Sequence, residues 1–154
     1  MIHKEDRLLR VGVLGCGPIS QFAHFDACRK SRNCDLYAIC DAAPDLLARM
    51  AATHAPTKTF SDLDDMLNDP AVDAVIVATS DQFHVPLCTK VLDAGKHVFV
   101  EKPLGVSNEE CEALRTRVHA IQAREHRVFQ VGNNRRFDPG VMSASSSAPE
   151  VVVD

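Results

Sequence analysis

The stretch Arg10-Val11-Gly12-Val13-Leu14-Gly15-Cys16-Gly17-Pro18-Ile19-Ser20 organises the chain. Its apolar residues end in two glycines one residue apart, and a helical pattern follows, which predicts a strand, a tight turn and a helix. Gly15 can adopt backbone angles that are closed to other residues. Gly17 lacks a side chain, so a pyrophosphate could approach the main chain there, beside the positive end of the helix. Ser20 replaces the third glycine of the G-x-G-x-x-G pattern with another small residue. Alone, such a motif is weak, because many glycine-rich turns are only turns.

Composition narrows the class of protein. The 154 residues suit one domain, and 45% hydrophobic with 25% charged residues is a globular profile. A net charge of −4 gives no reason to expect nucleic acid or an anionic membrane as a partner. The polar N-terminus predicts no signal peptide, and no apolar run has the length of a membrane span. The six cysteines form no C-x-x-C pair, so we expect buried free thiols, no metal site and a cytoplasmic location.

Strands and helices alternate along the chain. The predicted strands are 7–14, 35–40, a short extended piece ending at 60, 73–78, 97–100 and 128–131. The predicted helices are 18–31, 44–54, one that Ser61 caps, 85–94, and one from the Ser107–Glu110 capping box to about 124. The run 73–78 is typical of a strand buried on both faces of a parallel sheet. The pattern predicts a single α/β domain with a doubly wound parallel sheet (the Rossmann dinucleotide-binding fold) over residues 7–140, followed by a disordered tail, 141–154.

Polar residues follow several predicted strands, where ligands of open α/β sheets bind. Asp41 ends the second strand, the position from which an acidic side chain accepts hydrogen bonds from an adenosine ribose. Since Asp41 would repel a 2′-phosphate and Ala42 and Ala43 follow it, NAD is favoured over NADP. The alternative is that Asp41 only caps the turn before Pro44.

Several of these segments resemble the N-terminal half of the Gfo/Idh/MocA oxidoreductases. They are Gly15-Cys16-Gly17-Pro18-Ile19-Ser20, Ala78-Thr79 with His84 five residues on, and Glu101-Lys102-Pro103-Leu104. The resemblance covers about residues 7–140. The segment from Val131 to Pro139 is most similar to the inositol 2-dehydrogenases of that family.

The resemblance implies roles for individual residues. Cofactor-binding roles are implied for Gly15, Gly17, Pro18, Ile19, Asp41, Thr79, Ser80, His84, Glu101 and Lys102. Lys102 is also the implied catalytic residue, which contacts the reacting hydroxyl and helps its proton leave. A partly desolvated lysine beside a cationic nicotinamide ring can approach a useful pKa. Asn133 and Arg136 are implied substrate contacts, and the Lys102-Pro103 bond is expected to be cis.

Structural interpretations stay open for some of these side chains. Lys102 could be a surface lysine, and His84 could be a packing histidine. Arg135 and Arg136 could be a solvated pair. His24, on the first predicted helix, is interpreted as structural.

Members of the resembled family are about twice as long, with a second α/β domain that supplies the substrate pocket, an Asp and His pair, and most oligomer contacts. We expect that substrate domain to be absent here. The predicted function is therefore that of the cofactor domain of an NAD-dependent inositol or sugar dehydrogenase, with weak NAD binding and little or no turnover. A polyol or sugar substrate would need a second domain, and full-length relatives are expected to be homo-oligomers. The alternatives are a non-catalytic NAD-binding module or inactive truncated form, and an NADP-linked or other nucleotide-binding use of the fold.

Overall fold

A computed structural model, which describes residues 7–134 and Pro139, contains one parallel sheet flanked by helices. The strands are β1 Leu9–Leu14, β2 Cys34–Cys40, β3 Lys58–Phe60, β4 Ala74–Val77, β5 His97–Val100 and β6 Phe129–Val131. The α-helices are α1 Phe25–Lys30, α2 Pro44–His54, α3 Leu63–Asn68, α4 His84–Asp93 and α5 Asn108–Gln122. The strand order is β3-β2-β1-β4-β5-β6, and every pairing is parallel. The predicted doubly wound sheet is confirmed, with its switch of direction between β1 and β4. The limits 7–140 stay a prediction, and the expected disordered tail lies outside the described residues.

The helix after the glycine turn is not the uniform α-helix predicted over 18–31. Pro18 and Ile19 are helical, but Ser20–His24 have π geometry, and the Phe25 N–H donates to the carbonyl oxygen of Ser20, five residues back. Ser20 is fully buried, and its hydroxyl donates to the Gly15 carbonyl oxygen at 2.6 Å. The small residue at the third motif position thus ties the helix to the turn. Such π turns are rare, and they occur often at functional sites.

The start of α3 corrects one prediction. Asp62, not Ser61, is the N-cap, and its carboxylate accepts the Asp64 N–H at 2.7 Å. The physical reason is that the Asp62 backbone is still extended, so the helix begins one residue later than predicted. The capping role predicted for Ser107 is confirmed, because its hydroxyl accepts the Glu110 N–H.

Two apolar cores lie on opposite faces of the sheet. The larger packs α3, α4 and α5 against one face, and its strand residues include Val75, Val77, Val98 and Val100. The smaller packs α1 and α2 against the β1–β2 half of the other face, around Phe25.

The β4–β5 half of that second face is open, which corrects the expectation that β4 is buried on both sides. Val75 and Val77 are buried, whereas Ala74 and Ile76 are only half-buried. Ile76 and Phe99 line a groove of about 670 Å³. The reason is that α1 and α2 extend only over β1 and β2, so within the described residues no helix covers the neighbouring strands.

Asp69 connects α3 to β2 and β3 through a buried carboxylate whose side chain is 7% exposed. It accepts hydrogen bonds from the Tyr37 hydroxyl at 3.1 Å, the Lys58 ammonium at 2.7 Å and the Ala71 N–H at 2.8 Å. The bond from Lys58, followed by that from Ala71, holds the pKa of Asp69 below its usual value. The carboxylate is therefore stabilised by the fold in its charged form.

Replacement of Asp69 by Asn should lower the free energy of unfolding at pH 7 by about 1 kcal/mol, a modest loss because the exposed Lys58 partner is screened by water. Since the folded-state pKa is depressed, the contribution is present above the unfolded-state pKa and is lost as pH falls through the folded-state value. Urea unfolding at pH 7 and below pH ~4 should show the difference between wild type and variant shrinking. Asp45→Asn, at an exposed position of α2, is the control. A difference that does not change with pH would contradict this account.

Candidate functional site

The carboxyl edge of the sheet brings the predicted site residues into one row. Backbone hydrogen bonding continues one residue beyond five of the six strands: Asp41 N–H donates to Phe60, Gly15 to Cys40, Ala78 to Leu14, Glu101 to Val77 and Gly132 to Val100. The first residue of each of these five loops is therefore bonded to the neighbouring strand. Thr79, Glu101 and Asn133, which lie far apart in sequence, follow neighbouring strands at this edge.

The two glycines of the turn lack a side chain for different structural reasons. Gly15 has φ +94°, and a Cβ there would lie 2.5 Å from the Ala78 carbonyl oxygen. Its lack of a side chain lets the β1 turn cross the end of β4. At Gly17 a Cβ would meet nothing within 4 Å. The space above Gly17 is open, as a site for an approaching phosphate requires.

A cavity of about 580 Å³ lies between the glycine turn and the loops after β2 and β4. Seven of the predicted cofactor-binding residues line it: Gly15, Gly17, Pro18, Ile19, Asp41, Thr79 and Ser80. The exposed side chains of Ile19 and Phe83 give it apolar walls. The volume lies in the range of small-ligand and cofactor sites.

Asp41 links the glycine turn to the end of β2. One carboxylate oxygen accepts the Cys16 N–H at 2.7 Å and the other accepts the Ala43 N–H at 2.8 Å. The second bond is the turn-capping interaction that was the alternative to a ribose role. Because each carboxylate oxygen has two lone pairs, Asp41 keeps acceptor capacity toward the cavity that it lines.

Thr79 carries an unsatisfied polar atom at the wall of the cavity. Its hydroxyl oxygen is buried and has no hydrogen-bond partner in the described structure. A buried hydroxyl without a partner costs free energy, and a ligand in the cavity could supply one.

His84 lies behind the cavity and is 1% exposed. Its Nδ1 is 2.7 Å from the Pro103 carbonyl oxygen and its Nε2 is 3.0 Å from the Thr79 carbonyl oxygen. Both partners are acceptors and a neutral imidazole donates to one of them, so the ring lies between the loop after β4 and the turn after β5. These contacts are what we expect of a histidine that packs between loops. The predicted contact of His84 with a cofactor stays a prediction.

The turn Glu101-Lys102-Pro103 follows β5, one strand beyond the cavity. The Lys102-Pro103 peptide bond is cis, as expected. The Lys102 side chain is exposed, so the described residues do not supply the desolvation that its predicted proton-transfer role would use. Glu101 is sheltered and lies 2.9 Å from His24.

The predicted substrate contacts are only partly described. Asn133 is exposed in the turn after β6, where its N–H donates to the Val131 carbonyl oxygen. Arg136 and Arg135 lie outside the described residues. Their predicted roles stay predictions.

The thiols of the cavity region are inert. Burial, with a smaller contribution from the Asp41 carboxylate, raises the pKa of Cys16 to about 12, so the thiol stays protonated. Cys28, Cys40 and Cys88 are also buried, as expected, while Cys34 and Cys111 are half-buried.

Residues 7–134 contain no helix long and apolar enough to cross a membrane.

Two side chains at this edge have contacts that sequence reasoning missed. Phe83 lines the cavity, and its only sequence signal is an aromatic residue directly after the polar loop 79–82. His24 ends the π segment, and its side chain contacts Glu101. A helical wheel drawn at 3.6 residues per turn does not predict where that side chain lies.

The comparison with known families decides what this arrangement belongs to. The model of the Gfo/Idh/MocA oxidoreductase family, NAD-binding Rossmann fold, matches residues 9–132. The chain belongs to this family. The matched range includes the glycine turn, the residues that line the cavity and the cis-proline turn.

Several relatives of this Gfo/Idh/MocA domain are inositol dehydrogenases. Inositol 2-dehydrogenase of Salmonella typhimurium is 31% identical over 137 residues, which are 86% of this chain and 39% of that protein. Myo-inositol 2-dehydrogenase of Thermotoga maritima is 32% identical over 130 residues, 84% of this chain and 37% of that protein. The crystal structure of scyllo-inositol dehydrogenase from Lactobacillus casei with bound NAD(H) and scyllo-inositol has a TM-score of 0.83, with 28% identity over 91% of this chain and 40% of that one. The chain thus spans about two fifths of the length of the relatives it matches.

Alanine at the two glycines should separate folding from ligand binding. Gly15→Ala should lower the free energy of unfolding by at least about 2 kcal/mol, because positive φ is strained for alanine and Ala78 blocks its Cβ. Gly17→Ala, the matched control, should change stability by less than about 1 kcal/mol and weaken NAD binding, since its Cβ enters the open space of the cavity. Denaturant unfolding and calorimetric titration with NAD measure the two effects. Equal loss of stability in both variants would contradict the assignment.

Proposed function

We propose that this chain is the NAD-binding domain of a dehydrogenase that oxidises a ring hydroxyl of inositol or a related polyol or sugar. The observation that carries the proposal is the cavity in which Gly17, Asp41 and Thr79 meet at the switch point of the sheet. Its chemistry fits a dinucleotide: open backbone for a diphosphate, a carboxylate for ribose hydroxyls and an unpaired buried hydroxyl. The inositol dehydrogenases among the relatives support the substrate class.

The proposed cofactor-binding residues form two groups along the carboxyl edge of the sheet. The adenosine diphosphate half of the cofactor fits the cavity over β1, β2 and β4, with Gly15, Gly17, Pro18 and Ile19 at the diphosphate and Asp41 at the ribose. Glu101 and Lys102, which follow β5, would hold the nicotinamide half, since the two halves of such a sheet each hold one mononucleotide. When bound, NAD supplies the acceptor for a hydride from the substrate carbon. Lys102 holds the proton that the substrate hydroxyl releases, and Asn133 and Arg136 contact the polyol.

Asp41 should determine cofactor choice. Wild type should bind NAD more tightly than NADP, because the carboxylate accepts ribose hydroxyls and repels a 2′-phosphate. Asp41→Ala should weaken NAD binding about tenfold, the equivalent of about 1.4 kcal/mol, and narrow the preference over NADP. Isothermal titration calorimetry with both nucleotides measures this, with Asp45→Ala as the control on α2. NAD affinity that survives Asp41→Ala would remove the ribose assignment.

A second candidate function is NAD binding without turnover. The observation that favours it is the exposed Lys102 side chain, since an effective proton acceptor is held in position and partly shielded from water. Under this function the cofactor site is the same, and only the chemistry is missing.

A turnover assay separates the two candidates. The 154-residue chain should bind NAD and form no NADH above background when myo-inositol or scyllo-inositol is added, because the described residues position no substrate beside Lys102. Absorbance at the NADH band follows the reaction, and a full-length inositol dehydrogenase serves as the positive control. Robust turnover that Lys102→Ala abolishes would instead establish catalysis by this chain.

A further inference from the structure

A polar contact with little solvent exposure joins the π segment after the glycine turn to the turn after β5. His24 Nε2 lies 2.9 Å from the Glu101 Oε1 atom, and the two side chains are only 10% and 15% exposed. The His24 ring also meets the Phe99 ring edge-on, at 5.7 Å between centroids. A contact with so little exposure is much less weakened by solvent than a surface ion pair.

The position of His24 is set by the glycine turn. The π segment Ser20–His24 is anchored by the Ser20 hydroxyl on the Gly15 carbonyl and by the Gln21 side-chain amide on the Cys16 carbonyl at 2.7 Å. His24 is the last residue of that segment. Its imidazole therefore moves with the turn after β1, although it contacts the turn after β5, two strands away in the sheet order.

The Glu101 carboxylate contacts both His24 and the backbone of Lys102. While one of its oxygens faces His24, the other, Oε2, accepts the Lys102 N–H at 3.3 Å. The end of the same turn is held by His84 at the Pro103 carbonyl oxygen. Two histidines, one at each end, thus lie against the turn 101–103.

Two opposing effects act on His24 in this contact. Burial lowers the pKa of His24, and the Glu101 carboxylate opposes that shift. The two atoms are close enough to interact electrostatically, although His24 Nε2 is a buried nitrogen that makes no hydrogen bond of good geometry to any described residue.

We propose that His24 is a positioning residue, which holds the Glu101-Lys102 turn in register with the glycine turn so that both halves of one dinucleotide meet a preset site. The proposal rests on the proposed NAD binding and adds a residue to it. Its consequence is specific: loss of His24 should weaken contacts to the nicotinamide half of NAD and spare the adenosine half, which the cavity over β1, β2 and β4 holds.

The test compares NAD with ADP-ribose, which lacks the nicotinamide, by calorimetric titration of the full 154-residue chain. His24→Leu should weaken NAD about tenfold and change ADP-ribose affinity by less than about twofold. His24→Gln keeps an N–H donor near the position of Nε2 and should restore most of the NAD affinity. His119→Leu, at an exposed position of α5, is the matched control and should change neither affinity.

The result that overturns the inference is an unchanged ratio of the two affinities in His24→Leu, or a ratio that His24→Gln does not restore. Retained ADP-ribose binding shows that the variant is folded. Glu101→Leu provides a second measurement: it should change the ratio as His24→Leu does, and the double variant should add little further, since one contact is lost in all three. Independent, additive effects would contradict the coupling. A wild-type chain that binds neither ligand would overturn the proposed function itself, and with it this inference.

Discussion

The close crossing of the β1 turn over the end of β4 is the constraint on which the site depends. Gly15 makes it possible, because a Cβ at φ +94° would enter the Ala78 carbonyl. The crossing places the glycine turn beside Thr79 and opens the cavity between the loops after β2 and β4. It also fixes the start of the following helix, since the Gly15 carbonyl accepts the Ser20 hydroxyl. Gly15 thus both allows β1 and β4 to lie side by side at this edge and lines the cavity.

At Asp41 the observed structural role does not exclude the proposed binding role. Its carboxylate accepts two backbone N–H groups, and these bonds fix its direction toward the cavity. A carboxylate so held loses little further freedom when it accepts a ribose hydroxyl. The structural contacts are therefore a form of preorganisation.

Much of the fold could be predicted because its signals are local. Apolar runs marked the strands, and an acidic residue at the end of β2 marked a side chain that lines the cavity. The π turn could not be predicted, because a single extra residue in a helical turn leaves no period in the sequence. The contact of His24 with Glu101 depends on that turn and was missed with it. The half-open state of β4 was missed for another reason: an apolar run shows that a strand prefers burial, whereas only the placement of α1 and α2 decides which face is covered.

The uncovered half-face also has a consequence for local stability. In the described part of the chain, β6 is a three-residue edge strand with helices on one side only, whereas β1 is packed on both sides and paired with two neighbours. Protection of backbone amides against hydrogen exchange should therefore fall across the sheet from β1 toward β6. The glycine turn and Asp41 lie on the well-protected side, and Glu101 and Lys102 lie toward the other. The two halves of the proposed dinucleotide site therefore lie on parts of the sheet that differ in how well they are packed.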